Sequence, residues 1–189
     1  MKPFPRILAA ADQRRLTAHL QRNGLVAYPT ESCYGLGCLP TAVRAVKQLI
    51  RLKKRPQHKG MIVIGADFSQ LQPLLRPSEK NAALLQQPQT LPTTFLLPAS
   101  RKITPTLRGS RRNKLAVRIP AHAGAKRLCR MLQTPLVSTS CNQAGKKPCR
   151  SEREVRRLFG RRVWVVGGLV GRYKQPSRII DGETGKRLR

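Results

Sequence analysis

The apolar residues of this chain recur with two different periods, and segments of the two kinds alternate. Val43, Val46 and Ile50 share one face at helical spacing, whereas residues 61–64 form an apolar run between glycines that is too short for a helix. The pattern predicts helices over 12–22, 40–54, 69–75, 79–86, 124–132 and 151–160, and strands over 25–28, 61–64, 94–97, 115–119, 136–138, 163–166 and 178–181. This alternation predicts an α/β fold.

The segments between these elements contain no repeat and no linker that would divide the chain. With 189 residues and 40% hydrophobic positions, the chain suits one well-buried core, so we expect a single domain over 1–189. Residues 29–37 are rich in turn formers and are expected to form a loop. Residues 99–113 are expected to form a mobile, strongly cationic segment.

The charge of the chain is far from balanced, because 38 Lys and Arg stand against 8 Asp and Glu, for a formal net charge of +30. Basic residues occur along the whole length, from Arg14-Arg15 to Arg161-Arg162, which indicates a charged folded surface rather than a disordered arm. Polyanions such as nucleic acids are therefore the expected partners. For charge alone, a general basic bias without a specific partner remains the alternative.

The cysteines, the histidines and the N-terminal residues give predictions about metal binding and cellular location. The five cysteines form no C-x-x-C pair, and the three histidines are too dispersed to complete a zinc site, so we expect reduced thiols and no protein-bound metal. Residues 1–11 carry only a short apolar patch, too little for a signal peptide or a membrane span. The expected location is the cytoplasm, with no membrane contact.

Two polar stretches have the composition of an anion pocket. Lys53-Lys54-Arg55-Pro56 ends a predicted helix, and residues 138–142 bring hydroxyls, an amide and backbone N–H groups to the end of a predicted strand. Because Pro56 disfavours helix continuation, Lys53 and Arg55 are expected at a frayed helix end, reaching outward into a cleft. The alternatives are cations that complement the helix dipole and a turn that caps the next helix.

Four motifs containing these stretches occur in the order seen in one protein family. They are Pro29-Thr30-Glu31-Ser32-x-Tyr34-Gly35-Leu36-Gly37, Lys53-x-Arg55-Pro56, Val117-Arg118-Ile119-Pro120 and Ser138-Thr139-Ser140-x-Asn142. Over nearly its whole length the chain thereby resembles the YrdC-type threonylcarbamoyl-AMP synthases in their short bacterial form. The resemblance implies a single YrdC-like domain, with a twisted mixed β-sheet flanked by helices and a basic concave cleft.

The resemblance also implies a reaction. L-threonine and bicarbonate would form an N-carboxylated amino acid, whose new carboxylate attacks the α-phosphate of ATP and expels pyrophosphate. The product, L-threonylcarbamoyladenylate, would pass to a tRNA threonylcarbamoyl transferase complex that modifies the adenosine at position 37 of tRNA. Such nucleotidyl transfer needs no protein nucleophile and gains most from alignment and charge stabilisation.

The family pattern assigns site residues by substrate. For ATP the expected residues are Lys53, Arg55, Thr94, Ser140, Asn142 and Arg189. For threonine they are Thr30, Arg118, Ser138 and Ser177. Arg189 can equally be read as an unattached terminal cation. Mg²⁺ is expected as a cofactor that arrives with ATP, since no carboxylate cluster is available to bind it.

The chain departs from the family pattern at two places. Residues 89–94 stand where the family has a Trp-Pro-Gly-Pro-like turn, so the backbone before Thr94 and the nucleotide affinity are open to change, because Leu91 cannot easily adopt the positive φ of glycine. Cys141 stands where alanine is usual and is expected to be inert packing.

The rival reading is a non-catalytic module with the same fold that binds double-stranded RNA or tRNA by shape. Both readings use a cationic concave surface. A pure RNA-binding module has no need of a threonine pocket, however, and this chain keeps Thr30, Arg118 and the 138–142 stretch together. The sequence therefore favours the enzyme.

Overall fold

Helices and strands alternate around one mixed sheet. The computed structural model describes residues 10–56, 58–76 and 78–189. The α-helices in these residues are α1 (Ala10–Gln21), α2 (Val43–Lys53), α3 (Phe68–Leu71), α4 (Glu79–Gln86), α5 (Pro105–Arg108), α6 (Ala123–Leu132) and α7 (Glu152–Phe159). The strands are β1 (Val26–Pro29), β2 (Tyr34–Gly37), β3 (Ile62–Ile64), β4 (Thr93–Pro98), β5 (Lys114–Arg118), β6 (Leu136–Ser140), β7 (Trp164–Val165) and β8 (Arg178–Asp181).

The strands lie in the order β7-β1-β2-β6-β3-β5-β4-β8. β1 with β7, β3 with β5 and β4 with β8 are parallel pairs, and the remaining neighbours are antiparallel. The predicted α/β class and mixed sheet are therefore confirmed. No helix within the described ranges has both the length and the apolar character needed to cross a bilayer.

Side chains that alternate along the strands form a hydrophobic core on each face of the sheet. Val63 and Val137 belong to one cluster, which includes residues of α2 and α7. Their neighbours Ile64 and Leu136 belong to a second cluster, formed with α1 and α6. Because successive strand residues point to opposite faces, α1 and α6 cover one face and α2 and α7 the other.

Left-handed residues end three of the described helices, α1, α2 and α6, the last at Gln133 with φ 51°. Asn23 has φ 65° after α1, as the Asn-Gly pair predicts, and the Gly24 N–H donates to the His19 carbonyl at 2.8 Å. Lys54 has φ 52° after α2, and the Arg55 N–H donates to the Ile50 carbonyl at 3.0 Å. The chain therefore reverses sharply between Lys53 and Arg55.

Two local predictions are wrong and a third is confirmed. Within the expected 29–37 loop, Tyr34–Gly37 is a strand, β2, that pairs with both β1 and β6. The expected helix over 69–75 is confirmed as α3 followed directly by a 3-10 helix over Gln72–Leu74. The segment 99–113, expected to be mobile, contains α5, whose Leu107 is fully buried.

The last part of the chain joins the two edges of the sheet. β7 lies at one edge beside β1, and β8 lies at the other beside β4. Between them, residues 166–177 form no helix or strand. The Gly171 N–H donates to the Thr30 carbonyl at 2.8 Å and the Tyr173 N–H to the Glu31 carbonyl at 3.1 Å, so this connection is tied to the end of β1.

Candidate active site

The sheet register brings the motif residues to one face. Ile62 lies opposite Ser138, and Ile64 lies opposite Arg118. Directly paired residues share a face, and Ile62 and Ile64 point the same way because they are two positions apart. Arg118 and Ser138 therefore project from the face that α1 and α6 cover, and a cavity lies between them.

This cavity has a volume of about 160 Å³. Its lining includes most of the expected site residues, namely Thr30, Arg55, Arg118, Ser138, Ser140, Ser177 and Arg189. It also includes Ser32, Cys33 and Tyr34, which the motifs contain but to which the sequence assigned no role. The cavity is smaller than the roughly 300–1,000 Å³ of typical ligand pockets, so the nucleotide expected from the sequence would have to extend beyond its enclosed part.

Three arginines meet at the cavity, and no Asp or Glu is among the described residues that line it. Burial lowers the pKa of Arg55, and repulsion from Arg189 and Arg112 lowers it further. Burial also lowers the pKa of Arg189, with a smaller contribution from Arg118. The guanidinium groups therefore repel one another, and an anionic ligand between them would relieve that repulsion.

Backbone carbonyls hold two of these arginines in place. Arg55 donates from Nη2 to the Gly60 carbonyl at 2.8 Å and from Nε to the Lys59 carbonyl at 3.2 Å. Arg189 donates from Nε and Nη2 to the Ser177 carbonyl at 3.1 Å and 2.9 Å. Both side chains are thus oriented before any ligand binds.

Thr30 lines the cavity directly after β1. Its Oγ1 donates to the Cys33 carbonyl at 2.8 Å, and its backbone N–H donates to the same carbonyl at 3.0 Å. A Cβ at Gly35 would come within 3.1 Å of Thr30 Cγ2 and 3.2 Å of Ser138 Oγ. A side chain at position 35 would therefore press on both hydroxyl-bearing side chains, which would have to shift by a few tenths of an ångström.

Lys53 does not reach outward as expected. It is 3% exposed, and its ammonium donates to the Ser140 carbonyl, to the Asn142 carbonyl at 2.7 Å and to Asn142 Oδ1 at 3.0 Å. Burial, with repulsion from Arg55, lowers its pKa to about 8. Lys53 thus ties the end of α2 to the turn after β6 and is not among the residues that line the cavity.

Asn142 also stands behind the cavity wall rather than in it. Its Oδ1 accepts from Ser140 Oγ at 2.7 Å, and its Nδ2 donates to the Lys146 carbonyl at 2.5 Å. Together with the Lys53 contacts, these bonds hold Ser140 at the cavity edge. Cys141, between the two, is fully buried, and burial raises the pKa of its thiol, as expected for a packing residue.

Thr94 and Ser177 form a buried pair on the other side of the site. Thr94 is fully buried, and its hydroxyl lies 2.8 Å from that of Ser177. Ser177 lines the cavity, whereas Thr94 lies behind it. In the altered turn before Thr94, no residue has a positive φ. The Thr93 hydroxyl donates a hydrogen bond to the Leu91 carbonyl at 2.8 Å, which stabilises the turn.

One charged residue beside the site was missed. Glu31 is 6% exposed, accepts from the Ala121 N–H at 2.9 Å and lies 3.1 Å from Arg118 Nη2. Its place inside the first motif, in a chain with only 8 acidic residues, was the available signal. Among the described residues no group of three or more His, Cys, Asp or Glu is placed to hold a metal ion.

Comparison with known proteins places the chain among relatives of similar length. The family model Sua5_yciO_yrdC, described as "Telomere recombination", matches residues 18–189. The threonylcarbamoyl-AMP synthase of Neisseria meningitidis is 67% identical over 187 residues, which cover 98% of this chain and 99% of that protein. The one from Chromobacterium violaceum is 47% identical over 188 residues, or 99% and 97% of the two chains.

A solved structure agrees with the fold. The crystal structure of P. abyssi Sua5 complexed with L-threonine superposes with a TM-score of 0.82 at 30% identity. The match covers 93% of this chain and 52% of Sua5, so the chain spans about half the length of that protein.

Proposed function

This chain belongs to the Sua5/YciO/YrdC family, and on that premise we propose that it is a threonylcarbamoyl-AMP synthase. Its substrates are L-threonine, bicarbonate and ATP. The threonine amine attacks the carbon of bicarbonate and water leaves, which yields a carbamate. A carbamate oxygen then attacks the α-phosphorus of ATP, the bond to the β,γ-unit breaks, and pyrophosphate leaves with the electron pair.

The observation that carries this function is the convergence of Arg55, Arg118 and Arg189 on a cavity that also contains Thr30, Ser138 and Ser140. A triphosphate and an amino-acid carboxylate are both anions, and guanidinium groups bind such anions in a bidentate manner. The three arginines, which crowd one another, match two anionic substrates bound side by side.

The positions within the cavity suggest a division of roles. Arg55 and Arg189, with Ser140 at the edge, bind the triphosphate, and Arg118 on the sheet face binds the threonine carboxylate. Thr30, Ser138 and Ser177 supply hydroxyls for the amino acid. This leaves Lys53, Asn142 and Thr94 to support the site from behind, through the contacts that hold Ser140 and Ser177 in place.

Mg²⁺ would bind to the ATP phosphates rather than to a cluster of protein carboxylates. The described residues that line the cavity offer hydroxyl groups and cations, which are poor ligands for a hard cation when no carboxylate accompanies them. When bound with ATP, Mg²⁺ would neutralise phosphate charge. The chain's own residues align the reactants and stabilise the remaining charge.

The test of the enzyme is threonine-dependent pyrophosphate release. The purified protein is incubated with ATP, bicarbonate and L-threonine, with L-serine as the matched amino acid that lacks only the methyl group. We expect release with threonine, with much less from serine and none when bicarbonate is removed. Absence of threonine-dependent release would contradict the function and leave the rival, an RNA-binding module, in its place.

Transfer RNA and the transferase complex are the proposed downstream partners. The adenylate is a reactive mixed anhydride, so a nearby acceptor enzyme would limit its loss to water, and the formal charge of +30 favours direct contact with tRNA. If the protein binds tRNA through phosphates, log K should fall linearly with log salt in a fluorescence anisotropy titration. These partners in turn imply a cytoplasmic location, which cell fractionation tests.

A further inference from the structure

Glu31 is a buried carboxylate that lies beside the cavity but does not line it. Its Oε1 accepts from the Ala121 N–H at 2.9 Å, and its Oε2 lies 3.1 Å from Arg118 Nη2. The second contact is an ion pair without the alignment of a hydrogen bond, since Oε2 has no hydrogen-bond donor among the described residues. Glu31 thus acts on Arg118 through charge.

Arg118 has a fixed backbone and a guanidinium that needs support. Its carbonyl accepts from the Gly65 N–H at 3.2 Å, and its backbone pairs with β3, so the sheet fixes where the side chain begins. The side chain is only 10% exposed, and Nε has no hydrogen-bond acceptor among the described residues. Nε itself is shielded from solvent, so a ligand can contact only the exposed part of this side chain, which lines the cavity.

The neighbouring cation makes this support necessary. Arg189 lies close enough to Arg118 for their charges to repel, and no acidic side chain is among the described residues that line the cavity. Glu31 stands outside the lining, 3.1 Å from Arg118 Nη2, and supplies an opposing attraction. Without it, repulsion would favour rotamers that move the Arg118 guanidinium away from the site.

We propose that Glu31 is a positioning residue, which holds the Arg118 guanidinium so that the part of this side chain that lines the cavity meets the carboxylate of the amino-acid substrate. This inference rests on the proposed function for the identity of that substrate. Glu31 itself touches no reactant. It acts by orienting Arg118, and it also joins the turn after β1 to the chain that follows β5 through Ala121.

The chemistry of the position requires a carboxylate rather than an amide. Glu31 faces two donors, the Ala121 N–H and the Arg118 guanidinium, and it offers one oxygen to each. Glutamine has a single oxygen, and its NH₂ group would face one of these donors. Aspartate keeps both oxygens and the charge but is one methylene shorter.

The test separates threonine from ATP. In Glu31→Gln we expect the KM for threonine to rise about tenfold or more, with the KM for ATP changed by less than about twofold. Glu31→Asp should recover part of the loss. Glu79→Gln, an exposed glutamate in the first turn of α4, is the control that removes the same charge far from the site. A purely structural role would instead raise both KM values together, which would overturn the proposal.

A double-mutant cycle tests whether Glu31 acts through Arg118. In the Arg118→Lys variant, Glu31→Gln should raise the KM for threonine by less than about twofold. If Glu31→Gln raises this KM as much in the Arg118→Lys variant as in the wild type, the proposal is overturned.

Calorimetric titration of L-threonine into each variant separates this inference from the proposed function. Wild-type protein that binds threonine but releases no pyrophosphate contradicts the enzyme, while weaker threonine binding by Glu31→Gln still supports the positioning role. Equal affinity in wild type and Glu31→Gln overturns that role, as does the absence of threonine binding by the wild type. If Glu31→Gln does not fold, Glu31→Asp answers the same question, with an expected severalfold loss of affinity.

Discussion

Lys53 and Arg55 stand two residues apart in one motif, yet the structure gives them different surroundings. The left-handed Lys54 between them turns the chain, so Arg55 lines the cavity while the Lys53 ammonium is buried under the turn after β6. Residue chemistry alone predicts two similar cations at a helix end. Their separation depends on the backbone turn, which the sequence signals only weakly.

Arg55→Ala should weaken ATP binding and leave the fold intact. The side chain is partly exposed and rests on two carbonyls, and a charge-assisted contact to phosphate contributes about 1.5–3 kcal/mol, so the Kd for ATP should rise about tenfold to a hundredfold. Isothermal titration with ATP measures the change. Arg44→Ala, exposed near the start of α2, is the control, and equal affinity in the two variants would contradict the role of Arg55.

Lys53→Met should lower stability as well as activity. Methionine keeps the length of the side chain but removes all three ammonium hydrogen bonds. The Ser140 carbonyl and Asn142 Oδ1 keep other donors, whereas the Asn142 carbonyl is left unpaired, which costs about 1–3 kcal/mol. Urea denaturation measures the loss. The neighbouring Lys54→Met, at an exposed position, should change stability by less than about 0.5 kcal/mol. A similar loss of stability at both positions would show that the hydrogen bonds of Lys53 do not stabilise the fold.

At the scale of elements, β2 shows where sequence patterns stop being informative. Tyr34–Gly37 contains two glycines in four residues, and glycine is depleted in strands, so propensity predicts a loop. The strand forms because β1 and β6 flank it and supply its hydrogen bonds. Two other elements, α4 and β8, were predicted with the observed bounds.

Gly37→Ala tests this pairing. A Cβ at position 37 would come within 1.8 Å of the Val137 carbonyl oxygen, so β2 and β6 would have to separate beside the site. We expect a loss of about 3 kcal/mol or more in the free energy of unfolding, and lower activity. Gly145→Ala is the control: its φ of 77° is unfavourable for alanine, but no atom lies within 4 Å, so strain of about 1 kcal/mol is the whole expected cost. Equal losses in chemical denaturation would contradict the steric argument.

At the scale of the whole molecule, buried thiols should limit stability at alkaline pH. Burial raises the pKa of Cys38 and Cys129 from 9.0 to about 12 and that of Cys141 further. Above pH 9 these thiols ionise in the unfolded chain but stay protonated in the folded one, so the folded state binds more protons and stability falls as pH rises. Each thiol contributes a loss of about 1 kcal/mol between pH 9 and 10.

Lys53 acts in the opposite direction. Its folded pKa is lowered to about 8 from 10.5, so between these values the unfolded chain binds more protons and stability gains as pH rises. These three thiols outweigh the one ammonium, and together the four groups give a loss of about 2 kcal/mol between pH 9 and 10. The pKa values of Cys33, Cys149, Tyr28 and Tyr34 are also raised by burial and add to the loss. Urea denaturation at both pH values, with reductant, measures it. Cys129→Ala should give a shallower decline than the wild type, and an unchanged slope would contradict the account.

The motif order was enough to predict the fold class and which residues gather at the cavity. Which of them face the ligand could not be predicted, because that depends on the register of β3, β5 and β6 and on the path of residues 166–177. The role of Glu31 could not be predicted for the same reason. Its partners, Arg118 and Ala121, are 87 and 90 residues away in the sequence and become neighbours only in the folded sheet.

The two edge strands have a consequence for protein synthesis. β7 and β8 cover opposite edges of the sheet, and both come from the last part of the chain. On the ribosome, β1 and β4 therefore keep an unpaired edge until residues 164–181 have emerged, and an open edge is a template for pairing with other chains. A ribosome that pauses before this point would display an aggregation-prone intermediate that still lacks Ser177 and one wall of its substrate cavity.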